Sequence, residues 1–355
     1  MKIHLPILAE KARPILLRWC RLVSVVALIG SLMPWVGGVH YLLELGSHFV
    51  PFYAAGAWAS FAILIALDDK RVAVVAACAL VLSGAAIISC YIPREASQNR
   101  GAPIRVMVSN VLTSNKNFDE FIELVRKESP DVLALLEINE KWVQALGELD
   151  ETYPYKLLYP QSDNFGIGIL SRGPMRDVEK IDLLGVPALH ARLALSNRMI
   201  DLLVVHTLPP VSAANAAVRN RQLEMIAEIG KYSDGLQIVV GDLNTTMWSP
   251  HFRALLKASG LKDARKGFGV QPTWPAELSP FMIPIDQCLY QNPLAVKNVR
   301  KTQSFGSDHL SLVVDFIPPG RRTERERRRR GSASDGPLPA TQFLKNGLAR
   351  VESLE

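Results

Sequence analysis

Gln237-Ile238-Val239-Val240-Gly241-Asp242-Leu243-Asn244 opens as the apolar run of a buried strand and closes on two polar side chains two positions apart. Side chains alternate along an extended chain, so Asp242 and Asn244 leave the strand end on the same side. A second stretch, Ser307-Asp308-His309, runs into the alternating segment Leu310 to Phe316, which sets Asp308 and His309 at the start of a strand. If these two strands are antiparallel neighbours, two carboxylates, an amide and an imidazole meet at one sheet edge. An Asp beside a His has a direct use, because the carboxylate fixes the imidazole tautomer and stabilises its protonated form. Taken singly, each cluster also fits a turn or strand cap, where Asp is common.

The same arrangement recurs upstream. Ile104 to Asn110 is a strand ending in an amide, and Val132 to Leu136 is an apolar run followed by Glu137, a hard oxygen ligand of the kind Mg²⁺ takes. Ile200 to Thr207 delivers His206 at its end, and Pro284 to Tyr290 carries Asp286 near its start. Six segments that each bring a polar group to a strand end outweigh the capping explanation.

These motifs, Ser109-Asn110, Leu136-Glu137, Val205-His206-Thr207, Gly241-Asp242-Leu243-Asn244, Ile285-Asp286 and Ser307-Asp308-His309, resemble in order those of the endonuclease/exonuclease/phosphatase superfamily, over roughly residues 103 to 317. That superfamily includes deoxyribonuclease I, abasic-site endonucleases, sphingomyelinases and inositol-polyphosphate 5-phosphatases. The resemblance implies an α/β fold, a four-layer α/β/β/α sandwich, and hydrolysis of a phosphate ester with Mg²⁺ or Mn²⁺. Carried over by position, Glu137 resembles the main metal ligand, with Asn110 close to the metal. His309 resembles the histidine that accepts a proton or binds the scissile phosphate, and Asp308 its orienting partner or a further metal contact. Asp242 looks like the carboxylate that aligns water, Asn244 the amide on a phosphate oxygen, His206 a second histidine near the leaving group, and Asp286 a supporting acid. Where some nucleases of the superfamily carry an Asp two residues after the Asn, this chain has Leu112, which puts a second metal position in question.

The chemistry also follows without the resemblance. A phosphodiester repels hydroxide, so a cation must offset the developing charge while a base activates water. Between the motifs, Phe118 to Glu128, Ile138 to Leu149 and Ala213 to Tyr232 read as helices, the last burying Leu223, Ile226 and Ile229. Its Arg219 and Arg221 read as solvated side chains more readily than as phosphate contacts. Phe165 to Arg172 is a strand with glycines at 166 and 168. Trp274, in the loop Thr273-Trp274-Pro275, fits equally a substrate contact or a ring that closes the core. His4, His40, His48, His190 and His251 lack a comparable acidic setting and read as structural.

Residues 1–100 are a different material. Segments of about 22–39, 46–67 and 72–92 are apolar and long enough to cross a hydrocarbon core of about 30 Å as helices. A cleaved signal peptide has one shorter apolar core and fits poorly. Lys2, Lys11, Arg13, Arg18 and Arg21 precede the first span, and Lys70 and Arg71 follow the second. This bias sets the N-terminus in the cytoplasm. Three crossings then leave residues 101–318 on the outer face, the periplasmic side of a bacterial inner membrane, although Arg94, Arg100 and Arg105 weigh mildly against it. His48, inside the second span, reads as a wet histidine near the interface.

Residues 319–355 form the third region, with seven arginines against two glutamates between Arg321 and Arg330. Such a tail reads as disordered. It carries most of the chain's net charge of +6, so that charge does not by itself argue for a nucleic-acid-binding surface on the catalytic region. No dense Lys/Arg run lies between residues 103 and 317. The substrate therefore stays open between nucleic acid and a lipid headgroup: a nuclease, or a phospholipid or sphingomyelin-type phosphodiesterase or phosphatase. An inactive membrane-bound binding module is the remaining alternative. The four cysteines, Cys20, Cys78, Cys90 and Cys288, have no zinc-type spacing, and Cys288 alone lies in the enzyme region.

Overall fold

A computed structural model describes residues 9–93, 101–231, 236–291 and 293–319. Tyr232, Arg94, Arg100, Lys2, His4 and the Arg-rich segment from 320 onward lie outside them. The described chain divides into two compact units, one built from the helices up to Ile92 and one from the strands and helices that follow.

The first unit holds α1 (Ala9–Val36), α2 (Tyr41–Gly46), α3 (Val50–Ala66) and α4 (Lys70–Ile88). A 3₁₀ turn at Ser47–Phe49 joins α2 to α3, so three stretches are long and apolar enough to cross a membrane: Ala12–Val36, Tyr41–Ala66 and Lys70–Ile88. The first begins some ten residues before the expected apolar run, because arginines interrupt hydropathy without interrupting a helix. It stops at Val36, where Gly37 and Gly38 follow. Buried Ala27, Ala57 and Ala79 let the helices approach closely, and Ser31 Oγ meets Ser83 Oγ at 2.5 Å. His48 is not wet, as expected from sequence, but buried, with Nε2 3.4 Å from Glu44 Oε1 one turn earlier.

In the second unit β1 (Ile104–Asn110), α5 (Phe118–Glu128), β2 (Val132–Leu136), α6 (Glu140–Ala145), β3 (Tyr155–Tyr159) and β4 (Ile167–Ser171) come first. They are followed by β5 (Met175–Leu183), β6 (Val186–Leu195), β7 (Arg198–His206), α7 (Ala213–Lys231) and β8 (Leu236–Asp242). The unit closes with α8 (Pro250–Ser259), β9 (Lys262–Asp263), β10 (Asp286–Tyr290), β11 (Ala295–Lys301) and β12 (Leu312–Ile317). Two mixed sheets result, ordered β11-β12-β1-β2-β4-β3 and β5-β6-β7-β8-β10-β9.

Three apolar layers show how they stack. Ile104, Val106 and Val108 of β1 face Leu202 and Val204 of β7 and Ile238 and Val240 of β8 in the core between the sheets. The opposite face of the first sheet, Met107, Leu133 and Leu135, packs on Phe121 and Val125 of α5 and Trp142 of α6. Leu203, Val205 and Val239 of the second sheet pack on Leu223 and Ile226 of α7 and Phe252 of α8. The order is helices, sheet, sheet, helices. Central strands buried on both faces explain the continuous apolar runs at 132–136 and 238–240.

Several boundaries differ from the sequence reading. The expected helix from Ile138 starts at Glu140, because Asn139 caps it by accepting from the Lys141 and Trp142 N–H groups, and its last turn is 3₁₀ (Leu146–Leu149). The strands at 237–240 and 310–316 are not neighbours: β8 lies in one sheet and β12 in the other. The groups they carry meet across the sandwich instead of along one sheet edge. β12 also starts later, at Leu312, leaving Ser307 to Ser311 as a loop.

Candidate active site

Strand register sets the first contacts. β7 runs parallel to β8 with His206 opposite Asp242, and antiparallel β10 sets Asp286 opposite Asp242 on the other side. One sheet thus ends in His206, Asp242 and Asp286 side by side. Gly241, at φ +151, lets this end of β8 pass close to β7, since a Cβ there would lie 1.7 Å from the Val205 carbonyl oxygen. In the other sheet β1 and β2 are parallel with Asn110 opposite Leu136, so Asn110 and Glu137 emerge together.

The two sheet ends meet through His309. Its Nδ1 lies 2.9 Å from Asp286 Oδ2 and its Nε2 3.8 Å from Asp242 Oδ2. His206 Nε2 approaches the same Asp242 oxygen at 3.8 Å. The loop bearing His309 is tied to the first sheet: Ser307 Oγ donates to the Asn110 carbonyl at 2.8 Å and accepts from the His309 N–H at 3.1 Å. Those bonds take the place of the expected strand start.

Glu137 and Asn244 both sit at positive φ, 62° and 46°, an unfavourable conformation for such residues that the surroundings hold in place. Around Glu137, Asn110 Nδ2 donates to Oε1 at 2.8 Å and the Thr113 N–H to Oε2 at 3.3 Å. Asn244 gives its N–H to Asp242 Oδ1 and one Nδ2 hydrogen to the Thr207 carbonyl, both at 2.8 Å, which leaves a second amide hydrogen for another acceptor. Beneath that turn, Arg219 Nη1 donates to the Asn244 carbonyl at 2.6 Å. Arg219 is fully buried and does not reach solvent as its helical setting suggested, whereas Arg221 pairs with Glu224 at the surface. Fully buried Arg265 plays a like part under β10, bonded to the Asp286 carbonyl and to Gln287. Neither arginine carried a sequence signal of this role.

All six groups expected to be catalytic, His206, Asp242, Asn244, Asp286, Asp308 and His309, belong to this constellation or border it. Asp308 lies on its rim, its Oδ2 accepting from Trp274 Nε1 at 3.0 Å. Aromatic rings flank the two imidazoles, Phe165 centred 5.3 Å from His206 and Trp274 6.4 Å from His309. Leu112, in place of the acid of some nucleases, uses its N–H to hold Asn110 Oδ1 at 3.1 Å. His190 and His251 stand elsewhere, beside Asp201 and Asn220 respectively.

Burial and crowded charge divide the ionisable groups into distinct states. Burial opposes protonation of His309, but Asp286 and then Asp242 overcome it and carry the imidazole up to about 10. Burial and the neighbouring Asp286 push Asp242 up to about 7. Asp286 is held below its ordinary value because His309 and its hydrogen bonds outweigh burial. Burial, with positive His309 nearby, lowers His206 to about 4, so it is neutral at physiological pH. Glu137 is raised by burial, against the bonds from Asn110 and Thr113.

A divalent cation fits this donor set. Glu137 is a buried carboxylate whose hydrogen bonds come from the neutral Asn110 amide and Thr113 N–H, and Asp308 Oδ1 is buried with no hydrogen-bond partner among the described residues. With Asn110 they offer hard oxygens of the type Mg²⁺ and Mn²⁺ select. Asp242, Asp286 and His309 also bring ligand atoms within 4.8 Å of one another. The 2.9 Å bond already made by His309 Nδ1 suits that trio to handling protons.

The fold and this constellation define a four-layer α/β sandwich with a cluster of ionisable groups at one end of two facing sheets. The chain belongs to the Endonuclease/Exonuclease/phosphatase family, whose model matches residues 107–309. Members of the family are generally metal-dependent phosphoester hydrolases. No curated protein sequence matches the chain. Among solved structures it is similar to D. rerio TDP2 humanized by 14 mutations, at 18% identity and a TM-score of 0.52 over 61% of this chain and 99% of that one. D. rerio TDP2 complexed with single strand DNA product gives 18% identity and a TM-score of 0.51 over 61% and 100% of the two chains. The catalytic domain of human Nocturnin with bound sulfate gives 20% identity and a TM-score of 0.50 over 61% and 95%.

Proposed function

We propose that this chain is a membrane-anchored phosphodiester hydrolase dependent on Mg²⁺ or Mn²⁺, with residues 101–318 as its catalytic domain. The observation that carries the reading is the meeting of two differently tuned sets: Glu137, Asn110 and Asp308 on one side, and Asp242, His309 and Asp286 on the other. A cation bound by the first set supplies the positive charge that lets a nucleophile approach a phosphodiester. Asp242, half ionised near neutral pH, takes the proton of the attacking water. His309, protonated and locked by Asp286, presents Nε2–H to a phosphate oxygen, and the remaining Asn244 hydrogen aligns another. Neutral His206 stands beside Asp242, on the leaving-group side in this reading.

D. rerio TDP2 is described in complex with a single strand DNA product, which favours a nucleic-acid substrate. The three apolar helices favour the second reading, a lipid phosphodiester, because they would hold the enzyme at a bilayer. Under either reading the charge bias around the spans supports an inner-membrane enzyme with its catalytic domain on the periplasmic side. Activity should rise as Asp242 ionises through about 7 and fall as His309 loses its proton near 10. The test is hydrolysis of bis(4-nitrophenyl) phosphate by the full chain in detergent with Mg²⁺ or Mn²⁺, followed by a panel of plasmid DNA, RNA and phospholipid vesicles. His309→Ala should abolish turnover. A fully active alanine variant, or turnover unaffected by EDTA, overturns the reading; a reporter fused after residue 317 that works in the cytoplasm overturns the topology.

A further inference from the structure

Trp274 lies on the segment between β9 and β10, where it forms an isolated bridge with Ile283. Three bonds join this segment to the loop that carries Asp308. The Trp274 Nε1–H donates to Asp308 Oδ2 at 3.0 Å, the Ala276 N–H to the Asp308 carbonyl at 2.7 Å, and the Leu310 N–H to the Thr273 carbonyl at 2.9 Å. One oxygen of the Asp308 carboxylate is thereby taken. The other, Oδ1, is buried and meets no hydrogen-bond partner among the described residues. Carboxylate torsions are broad, so without a fixed donor the two oxygens would exchange places easily. Indole is a donor only, which makes the contact one-directional: it holds the Asp308 oxygen as an acceptor and cannot itself accept.

We infer that Trp274 is a positioning residue: its indole N–H pins Asp308 Oδ2 and so presents the unpartnered Oδ1 to the divalent cation. The inference rests on the phosphoesterase reading above and adds a supporting residue to its metal-binding set. Supporting partners of metal ligands typically change metal affinity about 10- to 100-fold when removed.

Trp274→Phe keeps an aromatic ring and removes the indole N–H together with the five-membered ring that carries it. In the full chain, Mn²⁺ affinity by calorimetry should weaken about tenfold, and kcat on bis(4-nitrophenyl) phosphate should fall about tenfold with KM little changed. The metal-free melting temperature should stay near that of the wild type. In an Asp308→Ala background the same substitution should cause no further loss, because residues acting as one unit are not additive. Wild-type Mn²⁺ affinity and kcat in Trp274→Phe overturn the inference, and so do additive losses in the double variant. A wild-type protein that neither binds Mn²⁺ nor hydrolyses the substrate overturns the phosphoesterase reading and this inference with it.

Discussion

Replacing Asp286 by Asn tests the electrostatics of the site directly. The change keeps size and one acceptor oxygen but removes the charge that lies 2.9 Å from His309 Nδ1. In the wild type, burial opposes protonation and the carboxylates win, carrying His309 from its ordinary 6.5 to about 10. At about 1.4 kcal/mol per pH unit this lift is worth about 5 kcal/mol of proton affinity. Asp286 is the largest of the raising influences, so its loss should take away the largest share of that lift and bring the His309 value down toward the ordinary imidazole range. The sign for folding follows. A raised folded-state value means that the stabilisation is fully present below about 6.5 and fades as pH climbs through about 10. Asp286→Asn should therefore melt below the wild type at neutral pH, and the gap should close as pH approaches 10. Melting curves of EDTA-treated protein across this range, with ¹⁵N-histidine NMR to follow the His309 titration, give both quantities. An unchanged His309 titration, or a melting gap that persists undiminished at pH 10, refutes the reasoning.

Three further outcomes follow from other parts of the molecule. Arg219→Met removes the donor at 2.6 Å from the half-buried Asn244 carbonyl and should destabilise by ~2 kcal/mol while depressing kcat; urea melts equal to the wild type would contradict this. Gly241→Ala sets a Cβ about where the Val205 carbonyl oxygen stands, 1.7 Å away, and should cost at least ~2 kcal/mol by thermal melt, with activity lost because Asp242 is displaced. Adding Mg²⁺ should raise the melting temperature, by ~3 kcal/mol of stability at a concentration about 100 times Kd. Glu137→Gln should lose most of that gain, and an equal gain in the variant would remove Glu137 from the metal set.

The parts of the fold legible in the sequence were those whose environment leaves a one-dimensional trace. Val132–Leu136 is buried throughout and appears as an unbroken apolar run, and Ile104–Asn110 keeps an apolar centre at Val106 to Val108, both with the boundaries expected. The polar residue that closes each run was legible for the same reason, because nothing apolar explains its place. β5, β6 and β11 went unread: β5 is largely exposed, β11 sets Lys297, Asn298, Arg300 and Lys301 among few apolar residues, and β6 alternates Leu189, Ala191 and Leu193 with His190, Arg192 and Ala194. The pairing of strands was the larger gap. Asp242 Oδ2 and His309 Nε2 lie 3.8 Å apart, but Asp242 ends a strand of one sheet while His309 sits on the loop that leads into β12 of the other. Local pattern specifies that each sits at a strand end and is silent on which sheet receives the strand. Arg219 and Arg265 were unreadable for a related reason. A buried guanidinium that binds backbone carbonyls is specified by the loops it serves, Asn244 and Asp286, which lie 25 and 21 residues away.

The first sheet takes its strands from both ends of the second unit, with β12 inserted between β11 and β1. On the ribosome, β1 waits with an open edge through the synthesis of everything that follows it. The second sheet can be complete, with His206, Asp242 and Asp286 aligned, while His309 is still being made. The loop that leads into the last strand is therefore what brings His309 to the candidate site, and a chain released before it lacks that imidazole.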